Sequence, residues 1–182
     1  MLLHLLLVAV FGILIPYWKG IDFFDPVIVA AYACMGALFS APAAAQAFAV
    51  SRPQSMREAG ARIGKAVLYG EGLAVTFLIV GTATVDLTHG VRLLLPELDV
   101  LAEAGLLGLA GTVAIAGLAG WATLRFSPMV ARLLMRVLFL GLLIAFFYNA
   151  RRLTDVALMG TGLCVAAAAI AVLLLRKEVS PR

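Results

Sequence analysis

The stretch that decides the fold is Asp25-Pro26-Val27-Ile28-Val29-Ala30, which continues without a charged side chain to Val50 and closes at Ser51-Arg52-Pro53. At about 1.5 Å rise per residue, an uncharged helix of this length exceeds the roughly 30 Å hydrocarbon core of a bilayer. Asp25 suits an N-cap, and Pro26 suits the first helical position, where no backbone donor is needed. The stretch therefore predicts a membrane-spanning helix over 27–50.

Small side chains recur every four residues along this helix. In lipid, helices associate through close packing of small residues, because apolar burial between helices contributes little there. We expect a helix-packing ridge formed by Ala33, Ala37, Ala41, Ala45 and Ala49, with Gly36, Ser40 and Ala44 on the neighbouring row.

The composition of the whole chain belongs to the membrane class. The 182 residues are 64% hydrophobic and only 13% charged, with a mean hydropathy of +1.08, whereas soluble domains carry about a quarter charged residues. Six spans and their connectors use almost the whole length, which leaves no room for a soluble catalytic or nucleotide-binding domain. The net charge of +4 comes from short clusters between apolar runs. That placement indicates membrane topology and argues against nucleic acid as a partner.

The pattern predicts one all-α domain over 1–182 that crosses the bilayer six times. The predicted spans cover about 2–18, 27–50, 66–85, 100–124, 133–148 and 156–175.

Charge placement predicts the orientation of these spans. With six spans, one side holds ten of the fourteen Lys and Arg residues. The positive-inside rule then places both termini in the cytoplasm of a bacterial-type inner membrane.

The spans also group into three helical hairpins, and each second helix begins at an acidic residue (Asp25, Asp99 and Asp155). The second, fourth and sixth spans carry small residues at intervals of four, whereas the fifth is bulky throughout. We expect the even spans to pack centrally and the bulky ones to face lipid.

Candidate chemistry is sparse. The chain has two His residues, His4 and His89, and the predicted topology separates them by the bilayer. Haem and metal sites need several ligands at one depth, and no Ser–His pair meets within a span. The sequence therefore predicts no catalytic, cofactor-binding or metal-binding residues, and a protein that is not an enzyme.

Glu71 is the one notable ionisable residue at depth, since it lies six residues beyond Lys65. A charge in a membrane interior is costly, and for that reason it commonly marks a functional site. Counting from Ser51 places Gln46 at nearly the same depth, so we predict a candidate intramembrane polar site formed by Glu71 and Gln46. Two interpretations stay open: a structural lock between helices, or a proton or substrate role.

The segment 51–65 is the candidate surface for a partner protein or for anionic lipid headgroups. It carries Arg52, Arg57, Arg62 and Lys65 against a single acid, Glu58. Its middle, Ser55 to Gly64, is predicted to form a short amphipathic helix on the membrane surface.

In span number and in the position of this loop, the chain resembles permeases of ATP-driven transporters, where such a loop docks the ATPase. In size it resembles the substrate-binding membrane subunits of vitamin transporters.

Compactness, small-residue spans and a basic loop together favour one function. The sequence predicts the permease-like or substrate-binding membrane subunit of a multi-component transporter, with the lipid bilayer and a cytoplasmic ATPase or other membrane subunits as partners. The alternative is a non-catalytic structural or assembly subunit of a membrane complex.

Overall fold

The structure, a computed structural model, describes residues 26–89, 98–149 and 153–179, and these ranges are helical apart from two short connectors. The all-α fold class is confirmed for this part of the chain, which contains no strand. The predicted span over 2–18 lies outside the described residues. The five helices are α1 Pro26–Val50, α2 Met56–His89, α3 Leu98–Arg125, α4 Pro128–Asn149 and α5 Leu153–Val179.

Helices α1 and α3 match the predicted spans 27–50 and 100–124 to within two residues. Helix α4 begins at Pro128, earlier than predicted, because a proline suits the first helical position, where no backbone donor is required. The backbone N–H of Ala131 donates to the Ser127 carbonyl at 2.9 Å. The connector between α3 and α4 is therefore only two residues long.

Helix α2 differs most from the prediction, because it begins at Met56 rather than near residue 66. The Ser55 hydroxyl accepts the backbone N–H of Glu58 at 3.2 Å, and the Glu58 carboxylate accepts the N–H of Gln54 at 2.8 Å. This Ser-x-x-Glu arrangement satisfies donors that a helix N-terminus leaves free. The predicted surface helix over 55–64 is therefore wrong, since these residues form the first turns of one 34-residue helix.

Contacts between particular residues give the direction of each helix. Ala44 of α1 packs with Ala66 of α2, whereas Phe48, further along α1, packs with Ala59, earlier in α2. Helix α2 therefore runs antiparallel to α1.

Helix α3 runs parallel to α1, since its Thr112 lies near Gly36 and its Gly120 lies near Phe48. Gly111 approaches Cys164 and Gly117 approaches Ala171, so α5 runs parallel to α3. Helices α1, α3 and α5 thus run parallel to one another, and α2 runs antiparallel to α1.

Charges are divided between the two ends of the bundle. One end, formed by the C-termini of α1, α3 and α5, carries every described Lys and Arg: Arg52, Arg57, Arg62, Lys65, Arg125, Arg132, Arg136, Arg176 and Lys177. We call it the basic end. The helix segments at the opposite end contain Asp86, Asp99, Glu103 and Asp155, together with His89, and no Lys or Arg among the described residues.

Helices α1 and α3 form the centre of the bundle. Their mutual packing is the most extensive in the described part, α2 packs on α1, and α5 packs on α3 rather than on α4. Helix α4 is peripheral. Small side chains make this close packing feasible, since Ala37, Ala44, Ala116 and Ala119 are completely buried.

Many large aliphatic side chains face outward from this core, although Leu73, Leu107 and Leu175 are buried in it. The outward-facing ones include Leu68, Leu106, Leu133, Leu163 and Leu173, all 60% or more exposed. In the described part of the chain, one segment, Gly105–Arg125, is long and apolar enough to cross a membrane, and Met35–Val50 is a shorter apolar stretch.

Candidate functional site

The backbones of α1 and α2 approach each other closely at Gly70. A Cβ atom at this position would overlap the carbonyl oxygen of Gly36 and would lie 2.9 Å from Ser40 Cβ and 3.0 Å from Ser40 N. The obstacles are mostly backbone atoms, which cannot move aside as a side chain can. Only glycine therefore fits here, and this crossing fixes the register of α2 on α1.

The same crossing places two polar atoms from different helices around Gly36. A Cβ at Gly36 would lie 2.6 Å from Oε1 of Glu71 and 2.7 Å from Oγ1 of Thr112. Helices α1, α2 and α3 therefore meet at a cluster that we call the polar junction: Gly36, Ser40, Glu71 and Thr112. The absent side chain of Gly36 provides the space into which both oxygens project.

Neither of these two oxygens has a hydrogen-bond partner in the described part of the chain, although both are buried. Thr112 is completely buried, whereas Glu71 is partly buried. Ser40 differs, because its hydroxyl donates to the Ala37 carbonyl at 3.2 Å within α1. Leaving a buried polar group unpaired costs about 1–3 kcal/mol.

Gln46 does not belong to the polar junction. It lies ten residues beyond Gly36 along α1, a distance of about 15 Å, and its side chain is exposed beside α4. The sequence predicts Gln46 beside Glu71 when the depth of Glu71 in the membrane is counted from Lys65, taken as the start of the second helical segment. Since α2 begins at Met56, the residue level with Gly36 is Gly70, and Glu71 meets Thr112 instead.

Arg62, one of the predicted partner-contacting residues, is used within the fold. Its guanidinium donates to the Ala47 carbonyl at 2.7 Å, to the Ser51 carbonyl, to the Ser51 hydroxyl at 2.7 Å and to Oε1 of Glu58 at 2.6 Å. It also lies 5.8 Å from the ring centroid of Phe48. These bonds cap the C-terminus of α1, where carbonyls lack intrahelical donors and cations are favoured. Its side chain is only 16% exposed.

The other three predicted residues of this segment remain on the surface of the basic end. Arg57 and Lys65 are exposed and make no ion pair within the described chain. Arg52, whose side chain is 65% exposed, pairs with Glu178 of α5 at 3.5 Å, and Arg125 approaches the same carboxylate at 4.0 Å. The structure therefore adds α3 and α5 residues, including Arg176 and Lys177, to this basic surface.

The two acids of the basic end are both engaged with arginines. The N–H of Gln54 and then the Arg62 guanidinium lower the pKa of Glu58 below its usual range, because both stabilise the charged carboxylate. Glu178 is shared between Arg52 and Arg125. The remaining cations of this end are thus available to a negatively charged surface.

The predicted alanine ridge is only partly in the core. Ala37 is buried, Ala41 and Ala45 are partly buried, Ala49 is exposed, and the side chain of Ala33 lies outside the described residues. The row that packs in the core is instead Gly36, Ser40, Ala44 and Phe48.

A cleft of about 480 Å³ between α1 and α4, which we call the α1–α4 cleft, is bordered by Ala37, Ala41, Ala45 and Ala49. It extends from Ala37 to Ala49 on α1 and contacts Arg132, Met135 and Arg136 on α4.

Within the described residues, no group of three or more His, Cys, Asp or Glu side chains could hold a metal ion. In comparisons with known proteins, no family model, curated protein or solved structure matches this chain.

Proposed function

We propose that this chain is the membrane subunit of a multi-component transporter, crossing the bilayer six times with both termini in the cytoplasm. The distribution of side-chain sizes supports a lipid environment. Alanine supplies most of the buried core, to which Phe48, Leu73 and Leu175 also contribute, while most of the exposed large apolar side chains are leucine and valine. A soluble bundle would bury its large aliphatic side chains, since their burial stabilises a fold in water by about 1.5–3 kcal/mol each. In lipid that preference is lost, and close packing of small residues dominates.

The division of charge supports the orientation. Short cytoplasmic segments are enriched in Lys and Arg, and the basic end gathers such residues from the ends of several helices. Arg57 and Lys65 project from the first turns of α2 without an acidic partner in the described structure. A cytoplasmic ATPase with an acidic groove would complement this surface.

The single observation that carries a transport role is the pair of unpartnered oxygens at the polar junction. A carboxylate kept only to lock helices would gain stability by having its buried oxygen bonded, because an unpaired polar atom is costly there. Oε1 of Glu71 and Oγ1 of Thr112 instead converge on Gly36, and neither is hydrogen-bonded within the described residues. We propose that a transported or coupling species with a donor group or positive charge binds these two oxygens.

The first experiment is affinity purification of the chain from its native membranes in mild detergent. The proposal predicts that a cytoplasmic ATPase co-purifies in fixed stoichiometry. Arg57→Glu combined with Lys65→Glu should release that partner, whereas Gln54→Glu, which adds a negative charge without removing a cation, should retain it.

The second experiment uses the purified complex. Glu71→Gln keeps the side-chain volume and removes the charge, so folded yield should be unchanged while the ATP hydrolysis rate of the complex changes several-fold. An unchanged rate at normal yield would contradict a transport role for the polar junction.

The rival proposal, a non-catalytic assembly subunit, is favoured by one observation, the tight glycine-dependent crossing of α1 and α2. It predicts that only other membrane proteins co-purify and that Glu71→Gln has no effect. Leucine at Ala41, which borders the buried Ala44 cluster, would then abolish complex formation.

A further inference from the structure

We propose that the α1–α4 cleft binds one anionic glycerophospholipid, with the phosphate held between Arg132 and Arg136 and an acyl chain lying along α1. This inference rests on the proposal that the bundle lies in a bilayer. It concerns a site on the opposite face of α1 from the polar junction and requires nothing of Glu71.

The shape of the cleft suits an acyl chain. Its α1 wall runs from Ala37 to Ala49, which is about 18 Å of helix, and is built mostly from alanines around Pro42, with Leu38 and Gln46. Met135, whose unbranched side chain adapts to irregular contacts, contributes to the α4 wall. Leu133 and Val137, next to the two lining arginines in α4, are exposed apolar side chains that suit a lipid-facing surface.

The charges at the cleft point to an anion. Arg132 and Arg136 both line it and both are exposed. Nε of Arg132 donates to the Pro128 carbonyl at 3.0 Å, within its own helix. No described acid pairs with either arginine, because Glu58 and Glu178 are engaged elsewhere.

The spacing of the two arginines in α4 also favours an anion. Arg132 and Arg136 lie at i,i+4, so they repel each other and do not stabilise α4 in isolation. A phosphate between them would remove the repulsion and accept charge-assisted hydrogen bonds from both.

Depth favours a lipid phosphate as the source of that anion. Arg136 lies about 12 Å along α4 from Pro128, inside the span predicted from the sequence. An arginine at that depth needs an anionic partner or a path to the interface. A lipid headgroup drawn toward the cleft supplies the partner, and the alanine wall accepts the chain attached to it.

The test is native mass spectrometry of the full chain, purified in detergent and offered equal amounts of phosphatidylglycerol and phosphatidylcholine. The wild type should retain one phosphatidylglycerol with at least a tenfold preference. Arg132→Gln with Arg136→Gln should lose that preference, and so, in part, should Arg136→Gln alone, which keeps the assay useful if the double variant does not fold. Ala45→Leu fills the cleft and keeps both arginines, and it should also lose the bound lipid.

The control is Arg57→Gln with Lys65→Gln, which removes two charges from the same end outside the cleft and should leave lipid retention unchanged. Equal loss in the control and in the cleft variants would contradict the proposal, because binding would then follow net charge alone. A wild type without bound lipid would also contradict the proposal. The cleft would then be covered by another occupant, such as residues 2–18, a second copy or a partner helix. Recovery of the chain in the membrane fraction is scored separately, so failure of the bilayer assignment is distinguishable from failure of the lipid site.

Discussion

Gly70 of α2 lies directly against the carbonyl oxygen of Gly36 in α1, with no space for a methyl group between the two backbones. This contact sets how far α2 slides along α1. It therefore decides that Glu71, the next residue, meets Thr112 of α3 at the polar junction. Register and site are consequences of the same pair of glycines.

Gly70→Ala should destabilise the bundle by about 1–3 kcal/mol, the usual cost of overpacking. The inserted methyl would meet backbone atoms of α1. Gly72→Ala is the matched control, since nothing lies within 4 Å of a Cβ there, and alanine should stabilise the helix by up to about 1 kcal/mol. Thermal unfolding in detergent measures both. Equal melting temperatures for the two variants would disprove the close crossing.

Arg62→Ala should lower the free energy of unfolding by about 2–3 kcal/mol, because it removes charge-assisted hydrogen bonds to the C-terminus of α1. Arg57→Ala, in the same turns of α2 but exposed and unpaired, should change it by less than about 0.5 kcal/mol. Chemical denaturation followed by circular dichroism compares the two. A similar loss in both variants would mean that Arg62 acts as a general surface charge.

Glu58 should make stability depend on pH in the acidic range. Its pKa is lowered in the fold relative to its usual 4.5, so its stabilising effect is present above about pH 4.5 and is lost as pH falls through the folded value. Melting temperature measured from pH 6 to pH 3 should therefore fall more in the wild type than in Glu58→Gln. Parallel pH profiles would show that the hydrogen bonds from Gln54 and Arg62 do not persist in solution.

Thr112→Val should keep or raise stability, by up to about 1 kcal/mol, because it removes a buried hydroxyl that has no partner among the described residues. Thr123→Val is the contrasting variant, because it removes a hydroxyl that is bonded: the Thr123 hydroxyl donates to the Ala119 carbonyl at 2.8 Å. In the purified complex, Thr112→Val should nevertheless alter ATP hydrolysis as Glu71→Gln does. Marked destabilisation by Thr112→Val would show that the hydroxyl is bonded after all.

The sequence predicted the helices whose pattern is local. The length of the apolar runs defined α1 and α3, and recurring small residues identified the central helices, because both properties follow from the residues of one helix. The row Gly108, Thr112, Ala116 and Gly120 is buried in the structure, as its spacing suggests.

Properties that depend on two helices together were harder to predict. The start of α2 was missed, although Ser55-x-x-Glu58 is a recognisable capping pattern, and that error moved Gln46 to the level of Glu71. The internal role of Arg62 requires knowing that the C-terminus of α1 faces the first turns of α2. Charge alone cannot distinguish such a capping arginine from the exposed Arg57.

The central claim is that the described bundle spans a membrane with its basic end inside. The most direct measurement is labelling of intact cells with a membrane-impermeant maleimide, in a background carrying Cys34→Ala and Cys164→Ala. Asp99→Cys, at the acidic end, should be labelled from outside, whereas Arg57→Cys, at the basic end, should be labelled only after the membrane is opened. Labelling of both positions from outside, or only of Arg57→Cys, would contradict the account.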